Sequence, residues 1–393
     1  MKVLRIISSM APKTGGPCQG IRNSIPRLQE LGVENEVVCL DDPESDYGVV
    51  DDFQIYKLGN GKTGYQYHSR LVEWLVQNLG NYSHVLVHGL WQFPNYAVYK
   101  AIKKLKDKGK DVPNVAIMPH GMLDPYFQRA TERRFKALRN EFVWRITEKK
   151  AINNADALFF TCEEELRLAK TTFKGYQPKK EINVGYGIQK PPQYSREFSD
   201  ALYKKLPNLT NDYWLFLSRI HPKKGVDLLI SAYKDLAKTR ASLPALVIAG
   251  PLESDYAIEM IKLAGNHPNI HFPGMLVKEE KWEAFYNCEA FVLPSHQENF
   301  GIAVVEAMAC RKPVLISDQV NIWREIQQGG AGLVFNDTVK GTHTALENFL
   351  ELTSEARIAM GELAHNAYIT HFSIEKAAQR MRDQLHLVLQ KPK

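Results

Sequence analysis

Eleven short apolar runs, with helical patterns between them, constrain this chain more than any other feature. The first five are VLRII (3–7), EVVCL (36–40), HVLVH (84–88), NVAIM (114–118) and ALFFT (157–161). After a break come YWLFLS (213–218), ALVIAG (245–250), NIHF (269–272), AFVLP (290–294), PVLIS (313–317) and GLVF (332–335). Strands this apolar are buried on both faces, which is the habit of parallel sheets covered by helices. Two such sets predict an α/β fold of two Rossmann-like, doubly wound domains, and 393 residues suffice for two cores. The proline-containing stretch GYGIQKPPQYSREF (185–198) reads as the linker. The expected division is an N-terminal domain over 1–190, a C-terminal domain over 191–372 and a final segment over 373–393. That segment contains the amphipathic pattern SIEKAAQRMRDQLHLVLQ (373–390).

Composition removes several classes. The chain is 44% hydrophobic and 24% charged, as soluble globular proteins are. No apolar run approaches the ~20 residues of a membrane span, and MKVLRIISSM lacks a signal-peptide core. The five cysteines, Cys18, Cys39, Cys162, Cys288 and Cys310, are odd in number and lack CxxC spacing. Neither a disulfide framework nor a zinc site is expected, and a reducing, cytoplasmic location is. A net charge of +6 suits an anionic ligand or an acidic membrane surface without requiring nucleic acid.

In open α/β sheets, ligands bind beyond the carboxyl ends of the strands. Those ends carry Ser8, His88, His120, Ser218, Arg219, Gly250, Ser295 and Ser317, all small or polar. In HQENFGIAVVEAMAC (296–310), a helix starting near Phe300 would set Glu306 on an apolar face with Ile302, Ala303, Ala309 and Cys310. A buried carboxylate costs several kcal/mol unless donors meet it, so either protein groups or ligand hydroxyls should do so. Glu298 precedes that helix, and ENFGI offers backbone N–H groups at a helix N-terminus, which can be a phosphate site or only a helix entry. LSRIHPKKGVD (217–227) brings Arg219 and Lys224 to one strand end, cations suited to a diphosphate or simply a basic loop. Asp227 reads as the following helix's N-cap.

SSMAPKTGGPCQG (8–20) pairs Gly15 and Gly16, which allow close backbone approach, with the charge of Lys13. MPHGMLDPY (118–126) and VHGLWQ (87–92) place His120, His88 and Trp91 at strand ends, where a sugar wall competes with ordinary packing. RATERRFKALRNEFVWRITEKKAI (129–152) is a basic amphipathic pattern, either a surface helix or one that lies on an anionic membrane. Neither GYGIQK (185–190) nor LGNGKTG (58–64) meets the fingerprint it approximates. No two aspartates are spaced i, i+2, so no DxD metal–diphosphate motif exists.

Glu298-x7-Glu306, the stretch from Ser218 to Asp227, His120-Gly121 and Gly15-Gly16, taken together, resemble the retaining glycosyltransferases of the GT-B fold, most of all the bacterial family 4 (group 1) enzymes of polysaccharide synthesis. The resemblance covers nearly the whole chain. It implies two Rossmann-like domains facing across a cleft, with the last helix crossing back to the N-terminal one. It implies that Glu306 holds the donor ribose and Glu298 a donor-sugar hydroxyl. Asn299, Phe300, Gly301 and Ile302 would offer backbone N–H groups, Arg219 and Lys224 would neutralise the diphosphate, and His120 would contact the sugar. Ser218 and Gly250 would line the donor site, Gly15 and Gly16 would approach phosphate or acceptor, and the base would meet backbone near Met275 and Leu276. Lys13, His88 and Trp91 fall to the acceptor side. No cofactor and no metal are implied; the substrates are a nucleotide sugar, UDP-glucose by preference, and a glycan or lipid-linked oligosaccharide. Peripheral contact with the inner membrane is expected with the latter. A nucleotide-sugar 2-epimerase, which would show no transfer, and a binding-only subunit of a glycosylation complex are the competing readings. The resemblance is imperfect at INVGYGI (182–188), where a Pro-Asn-Gly turn is common, and at Cys18 and Gln19.

Overall fold

The computed structural model describes residues 1–130, 133–195, 198, 201–209 and 212–389. The chain divides into two compact units. One is residues 1–187 together with the segment that returns from Ile374; the other is residues 188–373.

The first unit is built on seven parallel strands: β1 (Lys2–Ile6), β2 (Glu34–Cys39), β3 (Ile55–Lys57), β4 (His84–His88), β5 (Asn114–Met118), β6 (Ala157–Phe160) and β7 (Glu181–Asn183). Their order is β3-β2-β1-β4-β5-β6-β7. The order reverses between β1 and β4, so a crevice for ligands opens there. Side chains alternate across the sheet. Leu4, Ile6, Val85, Val87 and Ile117 face one core, whereas Val3, Leu86, Ala116 and Phe159 face another. The second core is closed by the helix Ile374–Leu389. Its Ala378, Met381 and Leu385 recur at helical spacing and pack beside Leu28 of the helix Gly16–Glu30. Gln390, the last residue of the amphipathic pattern, lies outside the described residues.

The basic pattern 129–152 is not one continuous helix. It is divided among Tyr126–Arg129, Arg134–Val143, a π-helical turn Trp144–Glu148, and Lys149–Asn154. Residues 131 and 132 of that pattern lie outside the described residues. The π turn lies inside a contiguous helical run from Arg134 to Asn154, so the sequence carries no helix terminator there.

The second unit holds six parallel strands: β8 (Tyr213–Leu217), β9 (Ala245–Ala249), β10 (Ile270–Gly274), β11 (Ala290–Leu293), β12 (Val314–Ser317) and β13 (Gly332–Phe335). Their order, β10-β9-β8-β11-β12-β13, reverses between β8 and β11. The strand cores are almost wholly buried, including Trp214, Phe216, Ile248 and Phe291. Both units are therefore Rossmann-like α/β sheets, each with its own reversal point.

Candidate functional site

In the second unit, the loops after β8 and β11 carry the charged residues singled out in the sequence. The β8 loop is pressed onto the β11 end by Gly225, whose φ is 65° and where a Cβ would overlap the carbonyl of Pro294. No other residue type fits both conditions. Gly250, at the end of β9, is likewise required, because a Cβ there would strike the carbonyl of Ser218. The Ser218 N–H is tied to Ala249 O at 3.1 Å. These contacts hold the loop from Ser218 to Gly225 in place.

Lys224 is buried, and its ammonium pairs with the carboxylate of Glu298. Burial, then the neighbouring Lys223 and Arg219, push the Lys224 pKa well below its ordinary range. The Glu298 carboxylate against it acts in the opposite direction. Arg219 is exposed, and among the described residues it has no ion pair or side-chain hydrogen bond. Lys223 anchors the turn, accepting from the His296 N–H at 2.8 Å and donating to Gln297 Oε1 at 3.3 Å.

Glu298 is fixed at both ends. Its N–H donates to Gln319 O (3.0 Å) and its carbonyl accepts from the Asn321 N–H (2.9 Å). The Asn299 N–H, assigned to the donor by the resemblance, donates instead to Glu298 Oε1 at 3.0 Å. The next helix, Ile302–Ala309, starts at Gly301 with φ of 76° and no side-chain cap. The Phe300 ring is buried edge-on against Phe372 at 5.6 Å.

Glu306 is 9% exposed on that helix, among Val304, Val305 and Ala307. Its Oε1 accepts from Lys281 Nζ at 2.6 Å. Burial raises the Glu306 pKa and Lys281 opposes the rise. The donor that the carboxylate needs is thus supplied by the protein. Lys281, from the helix Lys278–Asn287, has no motif to mark it in the sequence, and its partner is 25 residues away. His296, whose ring pairs with Asp337 at 2.7 Å, was also passed over. Asp227 does not cap its helix: Gly225 is the N-cap, and Asp227 Oδ1 accepts from Tyr256 Oη at 2.8 Å. Leu276 is buried and Met275 is exposed, its carbonyl accepting from Lys205 Nζ at 3.0 Å.

The first unit gathers a different set. Gly15, with φ of 97°, is the N-cap of Gly16–Glu30, and both glycines have open space where a Cβ would stand. Lys13 is exposed on the preceding turn. At the ends of β4 and β5, His88 Nδ1 lies 2.9 Å from His120 Nε2 with the rings stacked at 21°. His120 takes a left-handed φ of 53°, strained for a residue other than glycine. Burial, then the Arg5 charge, lowers His120 to about 4; burial, then His120 and Arg5, drives His88 well below its ordinary value. Both rings are neutral at pH 7. His88 Nε2 is buried without a partner and lines a small cavity with Arg5, Gly20, Tyr186 and Met381. Arg5 is hidden in the apolar run VLRII. It is 1% exposed, and its hydrogen bonds go to Asn35 Oδ1 (2.9 Å) and Met381 Sδ (3.6 Å). Trp91 is half-buried on Phe173 at 5.2 Å and packs on the core, so packing takes the ring assigned to the acceptor.

Residues 200–367 match the family model for glycosyl transferases group 1. The matched segment is the larger part of the second unit. It contains Ser218, Arg219, Lys224, Lys281, Glu298 and Glu306. The D-inositol 3-phosphate glycosyltransferase of Rhodococcus erythropolis is 29% identical over 177 residues, covering 42% of this chain and 38% of that protein. The lipopolysaccharide 1,2-N-acetylglucosaminetransferase of Salmonella typhimurium is 25% identical over 202 residues, covering 49% and 53%. The chain thus spans about a third to a half of the length of curated relatives it matches. Among solved structures, Anabaena HepE in complex with UDP and glucose superposes with a TM-score of 0.74 at 17% identity, covering 98% of this chain and 99% of that one. Sucrose-phosphate synthase from Thermosynechococcus elongatus gives 0.72 at 19%, covering 98% of each. These likenesses show the fold class, two Rossmann-like α/β domains of the kind found in GT-B glycosyltransferases.

Proposed function

We propose that the chain is a retaining, metal-independent family 4 glycosyltransferase. It moves a hexose, glucose by preference, from a UDP-sugar to a glycan or lipid-linked acceptor in exopolysaccharide synthesis. One observation carries this reading. Three cations, Arg219, Lys224 and Lys281, and two carboxylates stand in the matched segment, and each carboxylate is held by a lysine. A diphosphate needs cations, and ribose and sugar hydroxyls need acceptors. Arg219 and Lys224 would neutralise the leaving diphosphate, with the N-terminus of Ile302–Ala309 adding its dipole. Glu306 would exchange Lys281 for ribose hydroxyls, and Glu298 would take a sugar hydroxyl. The C1–O bond to the diphosphate breaks and a C1–O bond to the acceptor forms on the same face. The acceptor proton ends on the departing phosphate oxygen, so the protein mainly positions and stabilises charge. Gly15 and Gly16 approach the phosphate or the acceptor, and Lys13 and His88 serve the acceptor side. His120, uncharged at pH 7, can bond a sugar hydroxyl.

The test is nucleotide release from a panel of UDP-, GDP- and ADP-sugars, with EDTA present and no acceptor. Release from a UDP-hexose, with sugar passed slowly to water, is expected. Interconversion of the sugar nucleotide without release would indicate the epimerase, and activity abolished by EDTA would contradict the metal-independent step.

A further inference from the structure

The helical segment Arg134–Glu148 of the first unit is amphipathic in the reverse of the usual sense. Its inward side chains include Asn140, Thr147 and Glu148 beside Trp144. Its outward side chains include Phe135 at 90% exposure, Leu138 at 69%, Phe142 at 66% and Ile146 at 44%. The spacing i, i+3, i+7, i+11 puts these four on one stripe, diametrically away from Asn140 and Trp144. Exposed large apolar side chains are normal singly; four in a row on one helix are not. Lys136 is exposed further round the helix, and Arg134, Arg139 and Arg145 are exposed along the edges of this stripe. Its one acidic residue, Glu141, is tied to Arg145 at 2.7 Å.

We infer that this face docks on an anionic lipid bilayer, with the four apolar side chains entering the headgroup boundary and the three flanking arginines meeting lipid phosphates. An apolar stripe edged by arginine is the composition of an interfacial helix. A second copy of the chain is the poorer occupant, because a symmetric pairing would set the same cations against one another. No helix among the described residues is long and apolar enough to cross a membrane, so the contact is peripheral. Docking rests on no assumption about catalysis. Joined to the proposed transfer, it selects a lipid-linked acceptor over a free one.

The experiment is flotation of the full-length protein with vesicles of phosphatidylethanolamine and phosphatidylglycerol, against vesicles of phosphatidylcholine alone. Binding to the anionic vesicles only, released by high salt, is expected. The variant Phe135→Ser/Leu138→Ser/Phe142→Ser should bind about tenfold or more weakly, with an unchanged melting temperature because nothing buried is removed. Arg134→Gln/Arg139→Gln/Arg145→Gln should lose the preference for anionic lipid. Absence of wild-type binding at low salt, or equal binding by the serine variant, would overturn the inference. Concentration-dependent dimerisation of the wild type that the serine variant abolishes would overturn it in favour of a second copy.

Discussion

In the first unit, Arg5, His88 and Glu148 are buried and His120 is half-buried, all without an opposite charge: the arginine bonds an amide and a thioether, the histidines bond each other, and Glu148 accepts from the Trp91 N–H. In the second, Lys224 lies on Glu298 and Lys281 on Glu306. Burial without a partner is tolerated by shedding charge, so those histidines and Glu148 are neutral near pH 7. Burial in pairs sets a carboxylate against each ammonium, and such a pair can be exchanged for a charged or hydroxyl-bearing ligand. The first arrangement should therefore govern how stability responds to pH, and the second should govern turnover and donor binding.

The largest effect expected is on turnover. Arg219→Ala combined with Lys224→Ala should lower kcat by about a thousandfold, through lost stabilisation of the leaving diphosphate. Near wild-type turnover in EDTA would erase the contrast between the units. Acid stability comes next. His120 has a folded-state pKa of about 4 against an ordinary 6.5, so between those values the unfolded chain binds the proton and the folded one does not. Stability is then complete above pH 6.5 and falls by up to about 3 kcal/mol as pH drops to 4. Calorimetric melting should show this limb, and His120→Asn, which tolerates the left-handed backbone, should flatten it.

Glu148 works the other way and more weakly over the accessible range. Burial raises its pKa to about 8, so the folded state keeps a proton that the unfolded chain has lost. Stability should fall by about 2 kcal/mol from pH 6.5 to 8, and Glu148→Gln should remove that slope. An unchanged slope would mean that the unpartnered Oε2 is solvated in solution.

The central strands were legible because they are apolar: HVLVH and NVAIM coincide with β4 and β5. The edge strands β3 and β7 were not, since three half-buried residues leave no apolar run. The positions of Glu298 and Glu306 beside the uncapped helix were visible from spacing and burial logic. Lys281 was not, because a salt bridge across two helices leaves no periodic trace. Arg5 was hidden by its apolar neighbours, and its burial depends on period-two alternation that turns it toward Met381. Asp227 was misread because a capping residue type in a first turn does not reveal that Gly225, with its positive φ, already starts the helix.

The most direct measurement is calorimetric titration of UDP-glucose into the wild-type protein and into Glu306→Ala, both at pH 7 with EDTA and with folding verified by melting. The account predicts binding by the wild type and a loss of about 1–3 kcal/mol, ten- to more than a hundredfold in Kd, in the variant. Equal affinity in a folded Glu306→Ala protein, or no binding of the nucleotide sugar by the wild type, would contradict it.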